Sequence, residues 1–333
     1  MDALIDFMTD IVRWLHVIAA IAWMGFVLWL RRLVMRARPF ASPPADLEVW
    51  DTHSLGFWKT ERIAHPTASD LEGLILSFNL IRWLFATGLV LFALIYYRQP
   101  QIYLLDPSAP SLSSRAAIAL SLVGFIVAPL INEAINRISL QRKALYYFAC
   151  AVHLLAWTSL YANLLAQQGA MIQIGAMLGI TVSVNILGNL YPATREAMAA
   201  AIRGERTDPA KKQYWDRRNQ HSFLLPAIVF LMLSSHMGSA IKANGHAFLT
   251  IVTVLVLSLA SRHVLEIIHR NGGTLPTRLR WVAASTAVVL AMAVAWLLSI
   301  EHKADPQARI YAPSGVAEAS TPSARTVPRR SAL

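Results

Sequence analysis

Cysteine is all but missing from this chain: Cys150 is the only one in 333 residues. A lone cysteine excludes an internal disulfide, a CxxC metal-ligand pair and a CxxCH haem-attachment site, so any haem would have to be held non-covalently. Charge is scarce as well. Charged residues make up 15% against 56% hydrophobic, and the mean hydropathy is +0.46, which excludes a soluble globular chain of this length. Acidic residues number 19 against 30 lysines and arginines, a formal charge of +11. The excess could suggest nucleic acid, but the basic residues fall in short connections between apolar runs, where they set membrane orientation. The implied partner is the lipid bilayer, with no nucleic acid. Strand alternation is not seen, and the start Met1-Asp2-Ala3 lacks a basic region, so the first apolar run is expected to stay as a span.

What remains is a series of apolar runs at about 11–30, 78–97, 116–136, 144–165, 170–190, 222–240, 246–268 and 280–300. They predict an all-α integral membrane protein, a bundle of about eight transmembrane helices over residues 1–300, with 301–333 as a disordered C-terminal tail. Connections after odd-numbered spans carry most of the arginines and lysines, while the opposite loops hold only Arg98, Arg115 and Lys242. The positive-inside rule then puts both termini on the outer side. The longest connection, about 31–77, is read as cytoplasmic. Its Trp50, His53, Phe57, Trp58, Lys59, Arg62 and His65 predict interfacial helices, either as an amphipathic connector or as a lid.

Polar residues inside the spans fall into two layers. His16 sits in the first run, where helical spacing puts His16, Ala20 and Trp23 on one face, a small residue beside the imidazole and an indole as a wall. His236 lies at a matching depth near the outer end of the sixth run, and His153 near the middle of the fourth. Two neutral imidazoles on different helices can hold a b-type haem, so His16 and His236 are candidate axial ligands of the haem iron, with His153 as substitute. The plain alternative is a hydrogen bond from each to a carbonyl or a serine. The inner layer holds Asn132, Glu133, Asn185, Asn189, His221 and His263. Glu133 either pairs with a cation such as Arg137 or is available for proton transfer. Asn185 and Asn189, at i and i+4, present amides that could read a heterocycle or join helices.

Three stretches together carry a resemblance. Arg13–Gly25 (RWLHVIAAIAWMG), then Val184–Pro192 (VNILGNLYP) through Asp208-Pro209-Ala210, and finally Asn219–Pro226 (NQHSFLLP) to Ser234-Ser235-His236 resemble the membrane domain of bacterial urate-oxidising proteins, the urate oxidase N-terminal domain family. The resemblance spans about residues 8–300. It implies an eight-span protein of the bacterial inner membrane, acting in purine breakdown by hydroxylating urate and passing electrons onward. Full-length members continue into a cytochrome c domain; here a short tail without CxxCH follows Ile300, so a separate cytochrome c or other acceptor is expected. Phe78–Trp83, Gly56–Lys59 and Ser222-Phe223 depart from the family pattern.

Residues and resemblance combine into one expectation: a urate-oxidising membrane oxidoreductase with Glu133 and His221 as catalytic residues. Asn185 and Asn189 would contact the substrate, urate or a related heterocycle. His16 and His236, or His153, would hold haem. The rivals are a haem-linked protein of the protoporphyrinogen-oxidase or copper-resistance D type, and a permease or non-catalytic membrane partner.

Overall fold

The structure, a computed structural model, describes residues 2–36, 38–39, 45–53, 56–63, 76–105, 112–205, 208–218, 224–233 and 246–270. Among these, five helices are long and apolar enough to cross a membrane: Ala3–Leu30, Ser77–Tyr97, Ser114–Ser139, Ala144–Leu164 and Gln167–Ile202. They correspond to the first five expected spans. The eighth span and the tail lie outside the described residues.

Helix α1 runs Asp2–Arg36, beginning well before the apolar run that announced it. Its acidic first turns are neutralised: Asp6 pairs with Arg98 at 2.9 Å and Asp10 with Arg13 at 2.8 Å. With those charges matched, the span Ala3–Leu30 has His16 at its midpoint, not near its outer end. Trp14, Ile18 and Ile21 are exposed on the helix surface while Ala19 and Trp23 are buried, a division that suits a helix with one face in lipid.

The connector corrects the all-helical expectation. Arg38–Pro39 (β1), Ala45–His53 (β2) and Gly56–Ile63 (β3) form a small antiparallel sheet in the order β1-β2-β3, with Trp50 opposite Lys59 and His53 opposite Gly56. The reason is local. Val49, Trp50, Thr52, Phe57, Trp58 and Thr60 are strand formers, and Lys59 reaches across the ladder to Glu48 at 3.2 Å and to its own-strand neighbour Glu61 at 2.5 Å.

Beyond it come α2 (Leu76–Leu91) with a π-helical extension Phe92–Tyr97, a short α3 (Pro100–Tyr103), α4 (Ser114–Ser139), α5 (Lys143–Leu164) and α6 (Gln167–Asn185). A second π-helical turn, Ile186–Leu190, leads into α7 (Tyr191–Ile202), followed by α8 (Pro209–Arg218), α9 (Leu225–Met232) and α10 (Ala247–Arg270). Helix α6 is the axis of the bundle. It touches α2, α4, α5, α9 and α10, and its run Gly169–Leu178 is buried without a break, as expected of a helix that is apolar all round. Gly169 allows the backbone of Leu104 to approach, and Gly175 does the same for Leu231 and Met232.

Candidate functional site at the basic end of the bundle

The chain after α6 folds back on itself by two local devices. Helix α7 ends in a Schellman motif: Gly204 has φ 74°, its N–H bonds the Ala201 carbonyl at 2.9 Å, and the Glu205 N–H bonds the Ala200 carbonyl at 3.0 Å. Asp208 then accepts from the Ala210 N–H at 2.8 Å, and Lys211 pairs with Glu196 of α7 at 2.5 Å, which starts α8 and fixes it against α7. The far end of α8 is thereby returned to the end of α6. Tyr214, Trp215 and Arg218 occupy it.

Arg218 is 4% exposed and joins three helices. Its Nη2 pairs with Glu133 Oε2 on α4, its Nε donates to Asn185 Oδ1 on α6 at 2.9 Å, and its Nη1 donates to Tyr214 Oη at 2.9 Å. Asn185 returns a weaker bond from Nδ2 to the Arg218 carbonyl at 3.4 Å. The other carboxylate oxygen of Glu133 accepts from Arg137 Nε at 2.7 Å. Burial alone would lower the Arg218 pKa; the bonds to Glu133 and Tyr214 outweigh it and hold the guanidinium above its ordinary value. The rings of Trp215 and Tyr214 lie 5.8 and 6.0 Å from its central carbon. Trp215 Nε1 is buried and has no hydrogen-bond partner among the described residues, so a donor is held ready where an acceptor is missing. Tyr146 of α5, beside Cys150, lies within electrostatic reach of Arg218.

The structure therefore brings Glu133 and Asn185 together, as the inner layer anticipated, and shows Glu133 in the ion-paired alternative. Asn189 is half-buried in the π-helical turn. The extra residue of that turn takes it off the α-helical i, i+4 stack with Asn185. His221 lies outside the described residues, three positions beyond Arg218, and His236 lies outside them too. Sequence reasoning counted Arg218 only as an orienting charge. The signal that could have found it is the Tyr214, Trp215, Arg218 spacing, which sets two aromatics one turn before a cation on one helical face.

His16 and His153 face different helices. His16 Nδ1 is 3.1 Å from Thr87 Oγ1 of α2, the ring also bonds the Leu84 carbonyl, and a Cβ at Gly88 would stand 3.0 Å from His16 Cε1. The imidazole is laid on bare backbone. Trp23 belongs to a buried cluster with Ile81, Val182, Ile186 and Leu225. His153 bonds the Ala128 carbonyl of α4. Among the described residues no three His, Cys, Asp or Glu side chains converge to hold a metal ion.

Neither the curated proteins nor the solved structures contain a match to this chain. A family model described as urate oxidase N-terminal matches residues 2–298, a range that takes in α1, the connector sheet and every described helix. The chain belongs to the urate oxidase N-terminal family.

Proposed function

We propose that this protein is a urate-oxidising oxidoreductase of the bacterial inner membrane that passes its electrons to a separate acceptor such as a cytochrome c. The observation that supports the reading best is the buried Arg218, fixed by Glu133 and Asn185 beside an indole N–H without an acceptor. Urate is a flat, oxygen-rich heterocyclic anion. A guanidinium supplies charge and planar donors, the Trp215 N–H a further donor for a ring carbonyl, the Asn185 amide a donor and an acceptor, and the Tyr214 and Trp215 rings apolar walls.

In this reading Glu133 acts through Arg218, holding it in place, and the proton-transfer role falls to His221. Hydroxylation with water as oxygen source removes two electrons and two protons from urate plus water, so a base near the substrate and an electron outlet are both required. A b-type haem would supply the outlet by accepting electrons one at a time. His16 and His236 would hold it, and Thr87 at Nδ1 would fix the ring orientation of His16 on α2, as a hydrogen bond to the other ring nitrogen does for a ligating histidine. His153 is the substitute, its ring bonded to the Ala128 carbonyl as that of His16 is to the Leu84 carbonyl.

Two measurements test the reading. Detergent-purified protein is expected to show a b-type absorption spectrum on dithionite reduction, lost in both His16→Ala and His236→Ala while helicity is retained. A haem-free wild type, expressed with ample haem supply, would remove the haem from the scheme. Separately, urate consumption with added cytochrome c is expected to show KM raised roughly fivefold in Trp215→Phe, with kcat nearly unchanged, because one neutral hydrogen bond to the substrate is lost and the ring remains. An unchanged KM would take Trp215 out of the site.

A further inference from the structure

A second cluster lies at the same end of the bundle, away from Arg218. Arg82 of α2 stacks on Tyr191, with its guanidinium carbon 4.4 Å from the ring centroid; Arg195 of α7 approaches the same ring at 6.0 Å. Both guanidiniums act electrostatically on the Tyr191 phenol, and Phe78 packs against the ring at 4.9 Å. Asn79 braces Arg82 at 2.9 Å. Two cations drawn to one phenol repel each other, and among the described residues neither has a carboxylate within ion-pair distance. Glu196, next to Arg195, is taken up by Lys211. Both guanidiniums are exposed, which leaves the pair open to an anion.

Depth suggests its source. The apolar helix Gln167–Ile202 has 36 residues, about 54 Å at 1.5 Å per residue, whereas a hydrocarbon core needs about 20 residues. Counting about 20 residues from Gln167 puts the inner edge of the core near residue 187 and Tyr191 at headgroup level. Arg82 lies in the second turn of its own span, and its neighbour Trp83 is 65% exposed, as an indole at a membrane interface would be.

We propose that Arg82, Tyr191 and Arg195 bind the phosphate group of an anionic phospholipid headgroup. The two guanidiniums hold the phosphate oxygens, and the phenol and Phe78 keep the cations together at the correct height. The site would anchor α2 to the start of α7, which is the segment that delivers α8 and Arg218 to the bundle.

The test uses the full chain in nanodiscs of equal phosphatidylglycerol and phosphatidylcholine, with bound lipid counted by native mass spectrometry. Two basic residues at a membrane surface contribute roughly a twenty- to thirtyfold preference for anionic lipid. Arg82→Gln with Arg195→Gln is expected to remove that factor, Arg195→Gln alone about fivefold of it, and Tyr191→Phe to weaken it by an intermediate amount. Unfolding midpoints in phosphatidylcholine alone check that each variant is folded, and the single variants serve if the double does not fold. An unchanged lipid preference in the folded variants overturns the proposal. So does stabilisation of the wild type, and not of the variants, by millimolar inorganic phosphate in lipid-free detergent without any lipid preference, which would assign the cluster to a soluble anion.

Discussion

Arg218→Met is expected to abolish most urate turnover and to destabilise the protein in the same step. The side chain is 2% exposed and Glu133 is 25% exposed. Removing one partner of a buried ion pair costs about 3–5 kcal/mol, but Glu133 keeps Arg137 and some contact with its surroundings, which brings the expected loss down to about 2–3 kcal/mol. Asn185 Oδ1 and Tyr214 Oη each lose a donor as well. For the substrate, a charge-assisted bond to an anion is worth about 1.5–3 kcal/mol, so kcat/KM should fall by roughly one to two orders of magnitude beyond any loss of folded protein. Arg218→Lys keeps the charge and the Glu133 pair but cannot make the fork to Asn185 and Tyr214 together, and it should fall between the two. Glu133→Gln combined with Arg218→Met separates the contributions. With no carboxylate left short of one of its two cations, the double variant should recover stability relative to Arg218→Met but not activity. Thermal unfolding in one detergent and urate consumption per folded molecule are the readouts. Near wild-type turnover by the folded fraction of Arg218→Met would make Arg218 a structural cross-brace alone.

How much of this was legible beforehand depends on whether the information is local. Runs of apolar residues announced five of the spans, because the cost of an unsatisfied backbone in lipid leaves helix as the one open form for such runs. The start of α1 was hidden by Asp6 and Asp10, whose charges look like a boundary until Arg98, a partner 92 residues away, is in view. The connector sheet was hidden by the opposite habit of mind: its aromatics and cations suggested an interfacial helix, yet β-branched and aromatic residues sat at strand spacing throughout Val49–Thr60. Depth arithmetic brought Glu133 and Asn185 into one layer, since distance along a helix translates directly into height. It could not identify Arg218, which lies beyond α7 in a polar helix, because only the Gly204 turn and the Asp208 cap return that helix to the bundle. Nor could it find Tyr97, Ser121 and Gln173. Their hydroxyls and amide bond one another at 2.7 to 3.0 Å inside the opposite half of the bundle, where each looked like an isolated polar residue in an apolar run.

Next to that trio lies the position where one methyl group should do the most harm. Gly124→Ala is expected to destabilise the protein by about 3 kcal/mol, the upper part of the range for overpacking a core. A Cβ at residue 124 would run into Tyr161 Oη and stand 3.0 Å from Tyr161 Cζ and 3.3 Å from Trp157 Cζ3. Tyr161 has little room to retreat. It is fully buried, its ring lies 5.4 Å from that of Trp157, and α6 packs against both α4 and α5, so relief requires the helices to shift apart. The hydroxyl that causes the clash has no hydrogen-bond partner among the described residues. Deleting it in Tyr161→Phe should therefore be neutral or stabilising, since a buried hydroxyl without a partner is itself unfavourable by about 1–3 kcal/mol. The pair then forms a thermodynamic cycle. In Gly124→Ala with Tyr161→Phe the clash with the hydroxyl is gone and the contacts at 3.0 and 3.3 Å can be relieved by shifts of tenths of an ångström, so most of the lost stability should return. The coupling, read from unfolding midpoints of the four proteins in one detergent, is expected to exceed about 1 kcal/mol with a stabilising sign. Additive effects, or a Gly124→Ala protein as stable as wild type, would mean that α4 and α5 do not meet through this tyrosine.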